Sequence, residues 1–214
     1  MGTKILVLGA TGGTGRAVVD AALERGWEVT VFARSPDKVG RTHERLRTVK
    51  GDVADRAALA AVLPGHDAVI SALGQVRGSP PDLLRSAAAA VVAAMREAGV
   101  RRLILQSGAA VHVPGDPPPP LMQRMFVGAL GLVMPALAED TQGAADLVRA
   151  SDLDWTLVRP MRLTDGAGGR PVQAAPVLAL GMSSAIDRKD LAGFLLDQVV
   201  RPDFVRAAPM VTAG

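Results

Sequence analysis

The 214-residue chain has no cysteine and no tyrosine, and only four phenylalanines, two tryptophans and three histidines. Without cysteine there is no disulfide, no thiolate nucleophile and no Cys-ligated metal, and no metal site is expected. Without tyrosine there is no phenol to act as a general acid beside a carbonyl. Long apolar runs are missing too. The longest uncharged segment, Met125 to Ala138 between Arg124 and Glu139, contains Pro135 and is too short to span a bilayer. It reads as a buried or partner-covered helix, or as an apolar lid beside a ligand site. The N-terminus shows no basic segment followed by an apolar run and a cleavage site, so the expected location is cytoplasmic. Charge of one sign is also scarce: 24 Lys and Arg stand against 21 Asp and Glu. The basic residues are scattered and never alternate with aromatics, which argues against a nucleic-acid partner.

Glycine is plentiful, and seven residues near the N-terminus use it in a pattern. Lys4-Ile5-Leu6-Val7-Leu8 reads as a short buried strand and feeds directly into Gly9-Ala10-Thr11-Gly12-Gly13-Thr14-Gly15. A helical pattern follows, with Ala17, Val18, Ala21, Ala22 and Leu23 on one face and Gly26 at its end. Strand, glycine turn and helix together form the setting in which a dinucleotide pyrophosphate meets helix amides. Gly9 permits the tight turn, Gly12 lets the phosphates approach, and Gly15 lets the helix close on the strand. The spacing is GxxGxxG, one residue wider than GxGxxG.

Further strands are expected at Glu28–Ala33, Leu46–Lys50, Asp67–Gly74, Arg102–Gln106 and Asp154–Val158, the last ending in Arg159-Pro160. Helices are expected at 54–63, 83–98, 139–150 and from Ile186 to about Val200, with Asp187 as the cap of the last. This alternation specifies an α/β fold: one doubly wound, parallel, Rossmann-type sheet with helices on both faces. A single domain, 1–214, is expected, with a small substrate-side portion at about 110–185 set off by the stiff run Gly115-Asp116 and four prolines.

At the end of the second strand no acid is present to accept from a ribose. Arg34 is there instead, with Ser35 next and Lys38 close by, a set suited to a 2′-phosphate; Arg16 can reach the same group. The expected cofactor is NADP(H), with NAD(H) as the alternative. Asp52 is suited to cap the region that follows the third strand. Gly74 would let the chain pass close under a cofactor. Ser107 follows the fifth strand at the sheet edge where substrates bind, although serine is also a common turn residue.

These segments resemble the atypical short-chain dehydrogenase/reductases, the group that includes NmrA-like proteins and biliverdin-B/flavin reductases. The resemblance rests on Gly9–Gly15, Arg34-Ser35, Gly51-Asp52-Val53, Val69–Gly74, Asp154–Pro160, Leu163–Gly166 and Ile186–Leu191. It implies that Gly9, Thr11, Gly12, Gly13, Thr14, Gly15, Arg34, Ser35, Asp52, Val53, Ala72, Leu73 and Gly74 line the cofactor, with Asp52 and Val53 at the adenine. It also implies that Ser107 and Pro160 lie near the nicotinamide. The missing tyrosine departs from the Tyr and Lys pair of typical members, and His43, His66 and His112 fall in turns or loops where none replaces it. Two functions follow as expectations. One is an NADPH-dependent reductase passing hydride to a flavin, quinone or similar planar acceptor, with Ser107 as the only candidate catalytic side chain. The other is an NmrA-like sensor of NADP(H) that reports to a protein partner without catalysis.

Overall fold

The computed structural model describes residues 2–76, 78–118, 124–125, 128, 131–178, 184–201 and 203–213. Its apolar runs form the strands β1 (Lys4–Leu8), β2 (Glu28–Ala33), β3 (Leu46–Lys50), β4 (Ala68–Ser71), β5 (Arg102–Gln106) and β6 (Asp154–Pro160). Shorter strands follow: β7 (Leu163–Thr164), β8 (Val172–Ala175), β9 (Ile186–Asp187) and β10 (Met210–Ala213). The helices are α1 (Gly13–Glu24), α2 (Arg56–Val62), α3 (Leu83–Ala98), α4 (Pro135–Arg149) and α5 (Arg188–Val200).

The main sheet has the order β3-β2-β1-β4-β5-β6-β10-β8. All its pairings are parallel except the edge pair of β10 with β8. The chain therefore reverses direction across the sheet between β1 and β4, and ligands bind in the crevice at such a switch point. A strand buried on both faces must be apolar throughout, which is why β1 does not alternate with polar residues. Ile5 and Val7 pack with Val18, Ala22, Leu191 and Leu195 on the α1/α5 face. Leu6 and Leu8 pack with Leu59, Ala87, Val91 and Ala145 on the α2/α3/α4 face. The fold is the single-domain α/β Rossmann arrangement that the strand–helix alternation implied.

Several boundaries differ from the sequence reading, each for a local reason. The fourth strand stops at Ser71, so Ala72, Leu73 and Gly74 form the loop above it. Asp55, not Asp52, caps α2, its carboxylate accepting from Ala58 N; Asp52 Oδ1 accepts from Ala54 N at 3.0 Å in the turn before. Pro135 begins α4, directly after a bend at Met134 that ends the helical residues 131–133, and its missing N–H is harmless in a first turn. Of the segment 125–138, Leu132, Val133 and Met134 are exposed. Residues 119–123, 126–127 and 129–130, which include the end of the proline run, lie outside the described residues. His66 lies in a turn, as expected, but is buried there, bonded to Leu63 O at 3.0 Å and Thr30 Oγ1 at 2.9 Å. Strands β7, β8, β9 and β10 were not anticipated; Ile186, expected to open the last helix, pairs in β9 with Leu163, and α5 begins only at Arg188 after its cap Asp187. No helix among the described residues is long and apolar enough to cross a membrane.

Candidate functional site

The glycine turn sits at the carboxyl end of β1, and two of its glycines are fixed by sterics. Gly9 has φ of +77°, and a Cβ there would lie 2.5 Å from Ala72 O, because β4 crosses directly alongside. A Cβ on Gly15 would collide with the carbonyl of Gly9, so α1 can start against β1 only with glycine there. Gly12 is the N-cap of α1 and provides no side-chain acceptor; the helix ladder begins with Arg16 N donating to Gly12 O at 3.0 Å. Gly12 and Gly13 are exposed. The leading amides of α1 are thus free of a side-chain cap and face the crevice, an arrangement suited to an anion. Thr14 is buried and Thr11 half-buried at this turn. These features fit the pyrophosphate of a dinucleotide.

Arg34 and Ser35 stand exposed just beyond β2. Among the described residues Arg34 has no hydrogen-bond or ion-pair partner. Arg16 donates from Nη2 to Lys38 O at 2.9 Å, which draws α1 and the turn Pro36–Val39 together beside Arg34. Asp52 is exposed at the end of β3, whereas the Val53 side chain is buried in the core with Phe32 and Leu59.

Beyond the β4 and β5 ends lies a cavity of about 470 Å³ between α3, α4 and the sheet. Leu84, Ala87, Ala88 and Val91 of α3 line it, as do Leu103 and Leu105 of β5 and Leu137, Ala138 and Thr141 of α4. Leu73, Gly74, Ser107 and Met161 stand around it as well. The row of alanines in α3 in part leaves this space open. Two polar atoms are buried in its wall, Ser107 Oγ and Gln106 Oε1, and among the described residues neither has a hydrogen-bond partner. A buried polar atom left unpaired is costly, so both call for a ligand or a water. Ser107 itself is held rigidly, its backbone N donating to Val158 O at 2.8 Å.

Pro160 is buried within β6 and is not a cavity-lining residue; its carbonyl accepts from Ala109 N at 3.1 Å, and the neighbouring Met161 reaches the cavity instead. Arg159, also buried, donates to Ala208 O, Val111 O and Pro176 O, holding the loop after β5 under the site. Asp140 of α4 was missed by the sequence reading. It is buried and accepts from Leu84 N and Arg85 N at 2.9 Å each, capping α3 from another helix, and from Gln75 Nε2 at 2.6 Å. Gln75 is thereby fixed at the cavity wall. No motif links residues 75 and 140, and only the tertiary contact of α3 with α4 reveals the pair.

Comparison with known proteins adds to this geometry. A family model described as NAD(P)H-binding matches residues 9–202. The chain belongs to that family. A curated relative from Streptomyces griseus, (4-alkanoyl-5-oxo-2,5-dihydrofuran-3-yl)methyl phosphate reductase, is 35% identical over 156 residues, 73% of this chain and 46% of that protein. The 3-diazoavenalumate denitrifying reductase of a Streptomyces species is 36% identical over 127 residues, 54% of this chain and 41% of that protein. The chain thus spans less than half the length of these relatives. Among solved structures, a Veillonella parvula short-chain dehydrogenase/reductase in complex with NADP superposes with a TM-score of 0.78 at 19% identity, covering 99% of this chain and 94% of that one. At that identity the likeness is one of fold.

Proposed function

We propose that this NAD(P)H-binding protein is an NADPH-dependent reductase that delivers hydride to a flat, apolar acceptor such as a flavin or a quinone. The observation that carries the reading is the apolar cavity at the switch point, with Ser107 Oγ and Gln106 Oε1 as unpaired polar atoms in its wall. Its volume lies in the range of roughly 300–1,000 Å³ typical of small-molecule sites. A sensor that only reports cofactor state has no need of such a space. The two curated relatives are both named as reductases, which agrees with the proposal.

The glycine turn and the α1 amides would hold the diphosphate, Arg34 and Ser35 the 2′-phosphate, and Asp52 with the backbone at Val53 the adenosine end. Ala72, Leu73 and Gly74 would form the floor. When bound, NADPH supplies the hydride. The chain's own contribution is to orient and to exclude water: the walls from α3 and α4 are apolar, and Ser107 Oγ offers one neutral hydrogen bond. No tyrosine is available to protonate an alkoxide, so acceptors that draw their proton from water are favoured over simple aldehydes. The region from about 110 to 185 supplies Met161 and part of α4, and forms the substrate side of the site.

The test is NADPH oxidation with a panel of flavins, quinones and small aldehydes, alongside direct measurement of NADPH binding. Turnover with planar acceptors and little with aldehydes is expected. Tight NADPH binding without turnover of any acceptor would overturn the enzyme reading in favour of the sensor.

A further inference from the structure

Gly13 has no positive φ, so its backbone does not require glycine. What a Cβ there would meet is the flexible side chain of Arg188. Its Cδ and Nε each lie 2.8 Å, and its Cζ 3.5 Å, from the place a Cβ on Gly13 would occupy. Arg188 is the first residue of α5, behind the cap Asp187, whose Oδ1 accepts from Lys189 N at 2.9 Å. Arg188 Nη1 pairs with Asp165 Oδ2 at 2.7 Å; the arginine side chain is 26% exposed and the aspartate 83%.

Electrostatically this arrangement is unfavourable on its own. The start of α1 carries the positive end of a helix dipole, and a guanidinium laid across it adds charge of the same sign. The pair with Asp165 offsets little of that, because an ion pair so open to water is worth little. Two positive elements from distant parts of the chain therefore converge on one exposed turn, and a multiply charged anion would satisfy both. A guanidinium is also the group whose forked donors best match phosphate oxygens.

We propose that Arg188 is a binding residue for the cofactor diphosphate, stored across Gly13 by Asp165 until the diphosphate takes the place of that carboxylate. The assignment rests on the cofactor part of the reading above and is independent of the acceptor. It differs from the role given to Arg34, since the diphosphate is common to NADPH and NADH.

The experiment is calorimetric or fluorescence titration of wild type, Arg188→Ala, Arg188→Lys and Asp165→Asn with NADPH and NADH, and ligand-observed titration with adenosine 2′-monophosphate, which lacks the diphosphate. Arg188→Ala should weaken NADPH and NADH alike by roughly ten- to a hundredfold, as expected for a charge-assisted contact. Arg188→Lys should retain part of the affinity. Asp165→Asn should tighten both dinucleotides by up to about fivefold. Binding of adenosine 2′-monophosphate should be unchanged throughout. Unchanged dinucleotide affinity in Arg188→Ala, or an equal loss for adenosine 2′-monophosphate, would overturn the assignment while leaving the cofactor reading intact. Failure of the wild-type protein to bind either dinucleotide would overturn both.

Discussion

Arg159 Nη2 lies 2.7 Å from Asp116 Oδ2, and the two side chains are only 3% and 16% exposed. Together with the three carbonyls that the same guanidinium serves, this pair fastens the loop after β5 to the end of β6. Asp116→Ala would leave a buried cation without its counter-charge, a change that typically costs about 3 kcal/mol or more. A lowered urea midpoint with an unchanged slope is the expected result. Val111, one of the residues tied down, lines the cavity, so KM for an acceptor should rise as well. A stability change below about 0.5 kcal/mol would show that the carbonyl contacts alone hold the loop.

Arg34 decides the choice of cofactor in this reading. Its side chain is exposed beyond β2, with no acid nearby at the strand end to favour an unmodified ribose. A charge-assisted contact to the 2′-phosphate is worth on the order of 1.5–3 kcal/mol, or roughly ten- to a hundredfold in affinity. Arg34→Ala should weaken NADPH binding by that factor and leave NADH binding nearly unchanged. Equal losses for both would assign Arg34 to another part of the cofactor.

His66 introduces a pH dependence of stability far from the site. Burial lowers its pKa below the ordinary value of 6.5, against a smaller raising effect of its bond to Leu63 O. In the neutral ring, Nδ1–H donates to Leu63 O and Nε2 accepts from Thr30 Oγ1. Because the folded state holds the proton less tightly than the unfolded chain, the unfolded chain binds more protons as pH falls below the unfolded value. Stability is therefore at its full level above about pH 6.5, declines below it, and levels off once pH is under the folded pKa. Thermal melts from pH 7.5 down to pH 5 should show this decline, and His66→Gln should flatten it. An identical slope in the variant would assign the decline to other groups.

How far the sequence reveals the molecule depends on whether the deciding interaction is local. The turn at Gly9 and Gly15 is set by backbone sterics within one strand–turn–helix unit, so spacing alone locates it. The central strands are legible because burial on both faces demands unbroken apolar runs such as Ile5–Leu8. The edge is not: Val172–Ala175 pairs only with Met210–Ala213, which itself joins the sheet through β6, and both are short, with no periodicity to announce them. Helix α4 begins earlier than its charge pattern suggests because Pro135 is compatible with a first turn. At the site, Ser107 is visible as the residue following a strand. Gln75, Asp140 and Met161 are not, since each acts across a long sequence separation and belongs to no motif; Arg188 stands in the Ile186–Leu191 segment, but its approach to Gly13 shows only in the fold. The Arg159-Pro160 pair is visible as a motif, but its arginine is explained by buried carbonyls and Asp116, and its proline by the sheet.

Ser107 is the side chain on which the proposed mechanism turns. Its Oγ is buried in the cavity wall and, among the described residues, unpaired. Among the described residues no His, Asp, Glu, Lys or Arg lines the cavity with it, so none of them is suited to relay a proton through the hydroxyl. In the proposed mechanism its role would be to hold the nicotinamide amide or the acceptor by one neutral hydrogen bond, while rate would come mainly from proximity and orientation inside an apolar enclosure. Losing such a bond costs roughly 0.5–1.5 kcal/mol, so Ser107→Ala should lower turnover of a quinone or flavin by about tenfold at most. The pH profile of turnover should keep its shape in the variant, because the residue removed does not titrate in the working range. A loss of several thousandfold, or a steep pH dependence that vanishes with the substitution, would instead make Ser107 part of a proton relay. In that event the hydroxyl must borrow its acidity from a group outside the cavity wall, and acceptors that require protonation by the protein would return to consideration.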